Sequence, residues 1–125
     1  LNKIKNNYPE VITKIIPGIS SISAAAALSN FDLAKKGETL IIKECPSSKL
    51  EFLDLMDLNK GNRSVLALMK VGKRWHWLKD VLKEEEILDK SLLALNIGMN
   101  NQFIEKASKY DKVMIPYFSL LLIRF

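Results

Sequence analysis

The sequence predicts an α/β fold. Three observations carry that prediction: nearly continuous apolar stretches of strand length recur, stretches with helically spaced apolar residues separate them, and glycine or proline punctuates the joints. Residues 11–16 come first. Val11, Ile12, Ile15 and Ile16 are β-branched and run into Pro17-Gly18, which predicts a strand ending in a tight turn. Ser20 or Ser21 then caps a helix carried by the alanine-rich run 24–28, and Asn30 and Asp32 end it. Residues 38–44 (ETLIIKE) predict a second strand, and Pro46-Ser47-Ser48 a turn with a capping residue. Leu50, Phe52, Leu53, Leu55, Met56 and Leu58 have the spacing of an amphipathic helix, which residues 59–62 end.

Residues 64–69 (SVLALM) predict a third strand, apolar on both faces as in a covered sheet. Gly72 breaks it. Trp75, Leu78, Val81 and Leu82 mark one face of a further helix, with Lys73, Arg74, Lys79 and Lys83 around it. Residues 91–96 (SLLALN) predict a fourth strand, and Gly98 begins the loop after it. Residues 102–107 read as a short helix and residues 112–115 as a short strand; Pro116 interrupts, and residues 117–123 form a last strand. There is no internal repeat, low-complexity tract or long linker.

Composition bounds the function. The chain has 125 residues, of which 48% are hydrophobic and 26% charged, enough for one domain with a real core. The longest uninterrupted apolar runs, residues 24–28 and 65–69, are far too short to span a bilayer as a helix. A formal charge of +5 suits anionic partners: nucleic acid, anionic lipid, or a polycarboxylate or phosphate ligand; a solubility charge without a partner fits equally. With 16 Lys against 3 Arg, the bidentate contacts of specific base readout are scarce. The single Cys45 forms no internal disulfide or paired-thiolate metal site and fits a reducing, cytoplasmic compartment. The single His76 excludes a two-imidazole site.

Four loops stand where predicted buried strands end: residues 17–21, 69–73, 96–102 and 116–119. In open α/β sheets, ligands sit beyond the carboxyl ends of strands. Each loop alone is weak, since a Pro-Gly turn is usually only a turn. Their order is more specific. The segment 16–44 (IPGISSISAAAALSNFDLAKKGETLIIKE), then LMKVGKR (68–74), NIGMNNQ (96–102) and IPYFSLLLI (115–123), resembles the tetrapyrrole methylase family. The PGISS turn before an alanine-rich helix runs across that family. MKVGK and PYFSLLLI are most similar to its branch that methylates C20 of precorrin-2.

The resemblance implies two α/β domains with S-adenosylmethionine held between them. The family's first domain opens with a G-x-G-P-G-D loop, and nothing in this sequence matches it. By the resemblance, the chain begins roughly 100 residues into the enzyme, in keeping with Leu1 in place of Met. Residues 1–36 then form the trailing helix, strand and linker helix of an incomplete N-terminal domain. Residues 37–125 form a C-terminal domain, a mixed sheet with helices on its faces. The first part is expected to be poorly satisfied, its sheet partners being missing. The resemblance further implies a homodimer, with neither nucleic acid nor membrane as a partner.

Residue roles follow in the same way. Met69 matches the methionine against which the cofactor's adenosine packs; a plain core methionine is the other reading. Most relatives have glycine soon after that methionine; here Lys70 follows at once, and Gly72 comes later. Asn96, Ile97 and Gly98 match a cofactor-contacting loop, with Gln102 completing a G-x-x-x-Q spacing and holding the loop. Pro116, Tyr117 and Phe118 match the last cofactor-side turn; each of these also reads as plain loop structure. Ser20 and Ser21 match the turn near the cleft and read physically as helix caps. Lys70, Lys73 and Arg74 suit the carboxylates of precorrin-2 or, more simply, a solvated helix face, as does Lys79. His76 reads as structural, no catalytic residue is assigned, and no metal site is expected.

The implied reaction transfers the sulfonium methyl to C20 of precorrin-2, giving precorrin-3A, and the fragment by itself is expected to be inactive. That carbon is already nucleophilic in the reduced macrocycle, so proximity and alignment are the enzyme's main contribution. Three alternatives stand beside this reading: another tetrapyrrole methylase, including one acting on a cobalt-containing substrate; a basic α/β module binding nucleic acid, whose affinity would fall steeply with salt; and an inactive truncated product.

Overall fold

The computed structural model describes residues 2–125. Among the described residues, four α-helices and five strands follow one another, besides three short 3-10 turns: α1 (Asn2–Asn7), α2 (Ser21–Ser29), β1 (Thr39–Glu44), α3 (Lys49–Asp57), β2 (Ser64–Met69), α4 (Trp75–Glu84), β3 (Leu92–Leu95), β4 (Phe103–Lys106) and β5 (Ser119–Arg124). The five strands form one mixed sheet in the order β1-β2-β5-β3-β4. β1 and β2 are parallel, joined through α3; every other pair is antiparallel. This is the α/β architecture, mixed sheet included, that the sequence and the resemblance predict.

The strand period of two divides the core between two faces. Leu66, Leu68, Leu93, Leu95, Leu121 and Ile123 point to one face, where α3 and α4 cover them with Phe52, Met56, Trp75, Leu78 and Leu82. Ala67, Leu92, Ala94, Leu120 and Leu122 point to the other, where α2 brings Ile22 and Ala25. Small residues at positions 25, 67 and 94 let that single helix lie close to the sheet. Local signals end the helices where the sequence says. Ser20 Oγ accepts from Ser23 N–H at 3.1 Å, and Asn30 closes α2 in the left-handed conformation at φ 52°. Ser48 Oγ accepts from Glu51 N–H at 3.3 Å, while the Glu51 carboxylate accepts from Ser47 N–H at 3.0 Å.

Four expectations are corrected. Residues 11–16 form no strand. Every apolar side chain from Ile4 to Ile19 is exposed, Ile12 at 98%. β-branching favours a strand only against a sheet that hydrogen-bonds it, and none lies beside this segment. Residues 102–107 are not a helix but β4, paired antiparallel with β3 from Leu95↔Phe103 to Leu92↔Lys106; the edge of β3 supplies a ladder that no local signal reveals. Residues 112–115 form no strand, because side chains take their carbonyls: Trp75 Nε1 donates to Lys112 O at 3.2 Å and Tyr110 Oη to Met114 O at 3.1 Å. The last strand begins at Ser119 rather than 117, since Ser119 N–H turns back to Tyr117 O at 2.9 Å.

Candidate functional site: a cleft at the strand ends

The carboxyl ends of β2 and β3 flank the start of β5. Register pairs Met69 with Leu120, Ala94 with Leu120 and Leu95 with Ser119. Glu44, Met69, Leu120 and Ala94 therefore form one row on the α2 face of the sheet. Beyond that row the sheet is not covered by α2, and a cavity of about 280 Å³ opens there. Met69, Ala94 and Leu120 make its floor, Ile97 and Met99 one wall, and Tyr117 and Phe118 its rim; Ser21, Lys70 and Ser119 supply polar groups. The Tyr117 and Phe118 rings meet edge to face at 5.5 Å, and both remain solvent-exposed. A mostly apolar cleft with a few convergent polar groups is the usual form of a small-molecule site.

Backbone hydrogen bonds fix the loops around it. Asn96 leaves β3 at φ 49°, and its N–H donates to Phe118 O at 2.9 Å, tying the β3 loop to the turn before β5. Gly98 follows at φ 78°, and its N–H donates to Gln102 Oε1 at 2.8 Å. Gln102 thus holds the loop. Buried Ser119 joins the remaining two turns: its Oγ accepts from Gly72 N–H at 2.8 Å and donates to Tyr117 O at 3.3 Å.

The cations lie to one side. Lys70 sits immediately after β2 at φ 55°, a left-handed conformation costly for any residue with a Cβ. Its Nζ donates to Glu44 Oε2 at 3.1 Å, and that carboxylate raises the Lys70 pKa. Arg74 donates to Lys70 O at 3.3 Å and approaches Glu44 at 3.8 Å. Lys73 is exposed, and its carbonyl accepts from His76 Nδ1 at 2.7 Å. Lys79 donates to Tyr110 O at 2.6 Å.

The structure therefore brings Ser21, Met69, Lys70, Ile97, Tyr117 and Phe118 to one cavity. Asn96 and Pro116 line instead a separate cavity of about 500 Å³, together with Asn101, Phe103, Tyr110 and Lys112. Gly98, Ser20, Lys73 and Arg74 line neither. Sequence reasoning assigned no role to Ala94, Met99, Ser119, Leu120 or Glu44. Ser119 and Met99 lay within flagged loops. The row of Glu44, Met69, Leu120 and Ala94 exists only once the strand order is known. Among the described residues, no group of three or more His, Cys, Asp or Glu is placed to hold a metal ion, and no helix is long and apolar enough to cross a membrane. Cys45 is buried, and desolvation pushes its thiol up to about 11.

An open mixed sheet with a ligand-sized cleft at the ends of its strands places the chain among α/β domains of the kind in which ligands sit at that end of the sheet. The particular family is settled by comparison: residues 1–111 match the Tetrapyrrole (Corrin/Porphyrin) Methylases, and the chain belongs to that family. Comparison with curated proteins gave no match. Among solved structures, the chain is similar to the crystal structure of the methyltransferase CobJ, with a TM-score of 0.58 and 18% sequence identity over 98% of this chain. It spans 56% of that chain, so the likeness is one of fold over a little more than half of CobJ.

Proposed function

We propose that the chain supplies the C-terminal part of an S-adenosylmethionine-dependent C-methyltransferase of corrin biosynthesis, acting at C20 of precorrin-2. The observation that carries the proposal is the cleft: four loops singled out by sequence converge on one end of the sheet in a chain of the tetrapyrrole methylase family. The residues fit the cofactor's chemistry. Met69, Ile97 and the Tyr117–Phe118 rim offer soft apolar surface to an adenosine, while Asn96, Gly98 and Pro116 shape the flanking turns. When bound, S-adenosylmethionine supplies an electrophilic methyl group. The chain's own part is to bind, orient and exclude water. Lys70, with Lys73 and Arg74 beyond it, would steer substrate carboxylates, and Ser20 and Ser21 stand on the facing helix end.

The division into residues 1–36 and 37–125 is proposed with it. Exposure of every apolar side chain from Ile4 to Ile19 supports it for that stretch, which carries the surface of an element that packs against something else, whereas α2, also within residues 1–36, packs on the sheet through Ile22 and Ala25.

Titration calorimetry with S-adenosylhomocysteine tests the proposal. Clear binding is expected by a longer chain that carries an upstream α/β domain with a G-x-G-P-G-D loop, and little by residues 1–125 alone. Tight binding by the 125 residues would contradict a cofactor shared between two domains. In the longer chain, Met69→Ala should weaken cofactor binding and Arg74→Glu substrate binding. If neither changes, the site assignment fails. A methyl group from labelled cofactor found elsewhere than C20 would move the enzyme to another branch of the family.

A further inference from the structure

We propose that Glu44 is a built-in surrogate for a substrate carboxylate: beside the cleft it holds the ammonium of Lys70, which lines the cleft, and approaches the Arg74 guanidinium, until a carboxylate of the substrate takes its place. The inference rests on the reading above, that the substrate bears carboxylates. Three observations lead to it, the third resting on the same contacts as the first.

Glu44 pairs in register with Met69 and so continues that row just outside the cleft, where its carboxylate accepts from Lys70, a residue of the cleft lining. A carboxylate in that position is unfavourable for an anionic ligand unless it can move aside. The contacts it makes are of the displaceable kind. Lys70 Nζ at 3.1 Å and Arg74 at 3.8 Å are both partly solvated pairs, and exposed pairs of this sort contribute little to stability. The backbone beneath does not need to follow, because Cys45 N–H donates to Met69 O at 2.8 Å and fastens the end of β1 to the end of β2.

The second observation is conformational. Lys70 occupies φ 55°, where glycine is the comfortable residue. Strain of that kind persists where the side chain is needed. The third is electrostatic. The hydrogen bond and charge of Glu44 raise the Lys70 pKa, and Arg74 opposes them weakly. A carboxylate beside both cations, either the protein's or the ligand's, offsets their repulsion.

Uroporphyrin I is a stable tetrapyrrole with an acetate and a propionate on every ring, and its fluorescence reports binding. Titration into the longer chain that carries the upstream domain, with its native sequence, with Glu44→Gln, with Lys70→Gly and with the control Glu105→Gln, tests the inference. Glu44→Gln should bind about 2–5-fold more tightly, the weight of one exposed ion pair. Lys70→Gly should bind more weakly and with a shallower salt dependence, and Glu105→Gln, remote on β4, should match the native protein. Glu44 is exposed, so its variant should fold, and an unchanged unfolding midpoint checks this. Unchanged or weaker binding by Glu44→Gln, when the native protein binds, overturns the inference alone. An equal gain in Glu105→Gln also overturns it, since net charge then suffices. No binding by the native protein overturns the carboxylate-substrate reading itself.

Discussion

Lys70 shows how one residue can be read against its backbone. At φ 55° a side chain costs on the order of 1 kcal/mol, and the pair it forms with Glu44 returns only a fraction of that. Lys70→Gly is therefore expected to stabilise the chain by up to about 1 kcal/mol in urea unfolding. A loss of stability would mean that the lysine packs more than its partners indicate. Arg124 and Glu38 make the opposite case, an ion pair that serves the fold. Arg124 bridges the Glu38 carboxylate and the Asp32 carbonyl and lies over the Phe31 ring at 5.0 Å. The Lys35 backbone N–H, and then Arg124, hold the Glu38 pKa below its ordinary value. A depressed carboxylate contributes stability above its unfolded pKa of about 4.3 and loses it as pH falls through the lower folded value. Glu38→Gln should thus be less stable than the native chain at pH 7, and the difference should shrink progressively in acid. A difference independent of pH would remove Glu38 from this role.

Among the elements, those with a local cause were legible and those with a partner's cause were not. Ser20, Ser48 and Asn30 close helices through bonds to their own neighbours, so α2 and α3 fall within a residue or two of their predicted ends. β4 looks helical by itself, because four residues carry too little period to decide; the free edge of β3 makes them a strand. Residues 112–115 look like a strand until Trp75 and Tyr110 claim their carbonyls. Loops obey the same rule. Ser119 joins the turn after β2 to the turn before β5 through a hydroxyl that no motif singles out. Ser119→Ala leaves the buried Gly72 N–H without that acceptor and should cost about 1–3 kcal/mol, measurable as a lower unfolding midpoint and as faster hydrogen exchange at Gly72. Protection at Gly72 equal to the native chain would mean another acceptor replaces it.

For the whole molecule, the chief contrast is between a sheet covered on both faces and an N-terminal stretch covered nowhere. Ile15 and Ile16 are 74% and 80% exposed. Replacing both by threonine should change the stability of this chain by no more than about 0.5 kcal/mol, as at other exposed sites, while reducing its binding of a hydrophobic dye. A larger loss of stability would show that the segment packs in solution. In a longer chain carrying the proposed upstream domain, the same pair should cost several-fold more, since there the two side chains would be buried.

The sequence by itself determined most of the alternation of strands and helices, the caps, the four loops that send residues to one cavity and the family, because each depends on residues close along the chain or on their linear order. It also drew attention to Met69 and Lys70 before any geometry was known. Only the tertiary structure decided that β5 inserts between β2 and β3, that β4 is a strand, and that Glu44 shares one row with Met69, Leu120 and Ala94, the three that floor the cleft. It also separated Ser21, Met69, Lys70, Ile97, Tyr117 and Phe118, which meet at that cleft, from Asn96 and Pro116, which turn to another. The physical reason is the same in each case. Strand pairing and shared faces are set by hydrogen bonds and packing between residues far apart in sequence, and local preference neither encodes nor opposes them.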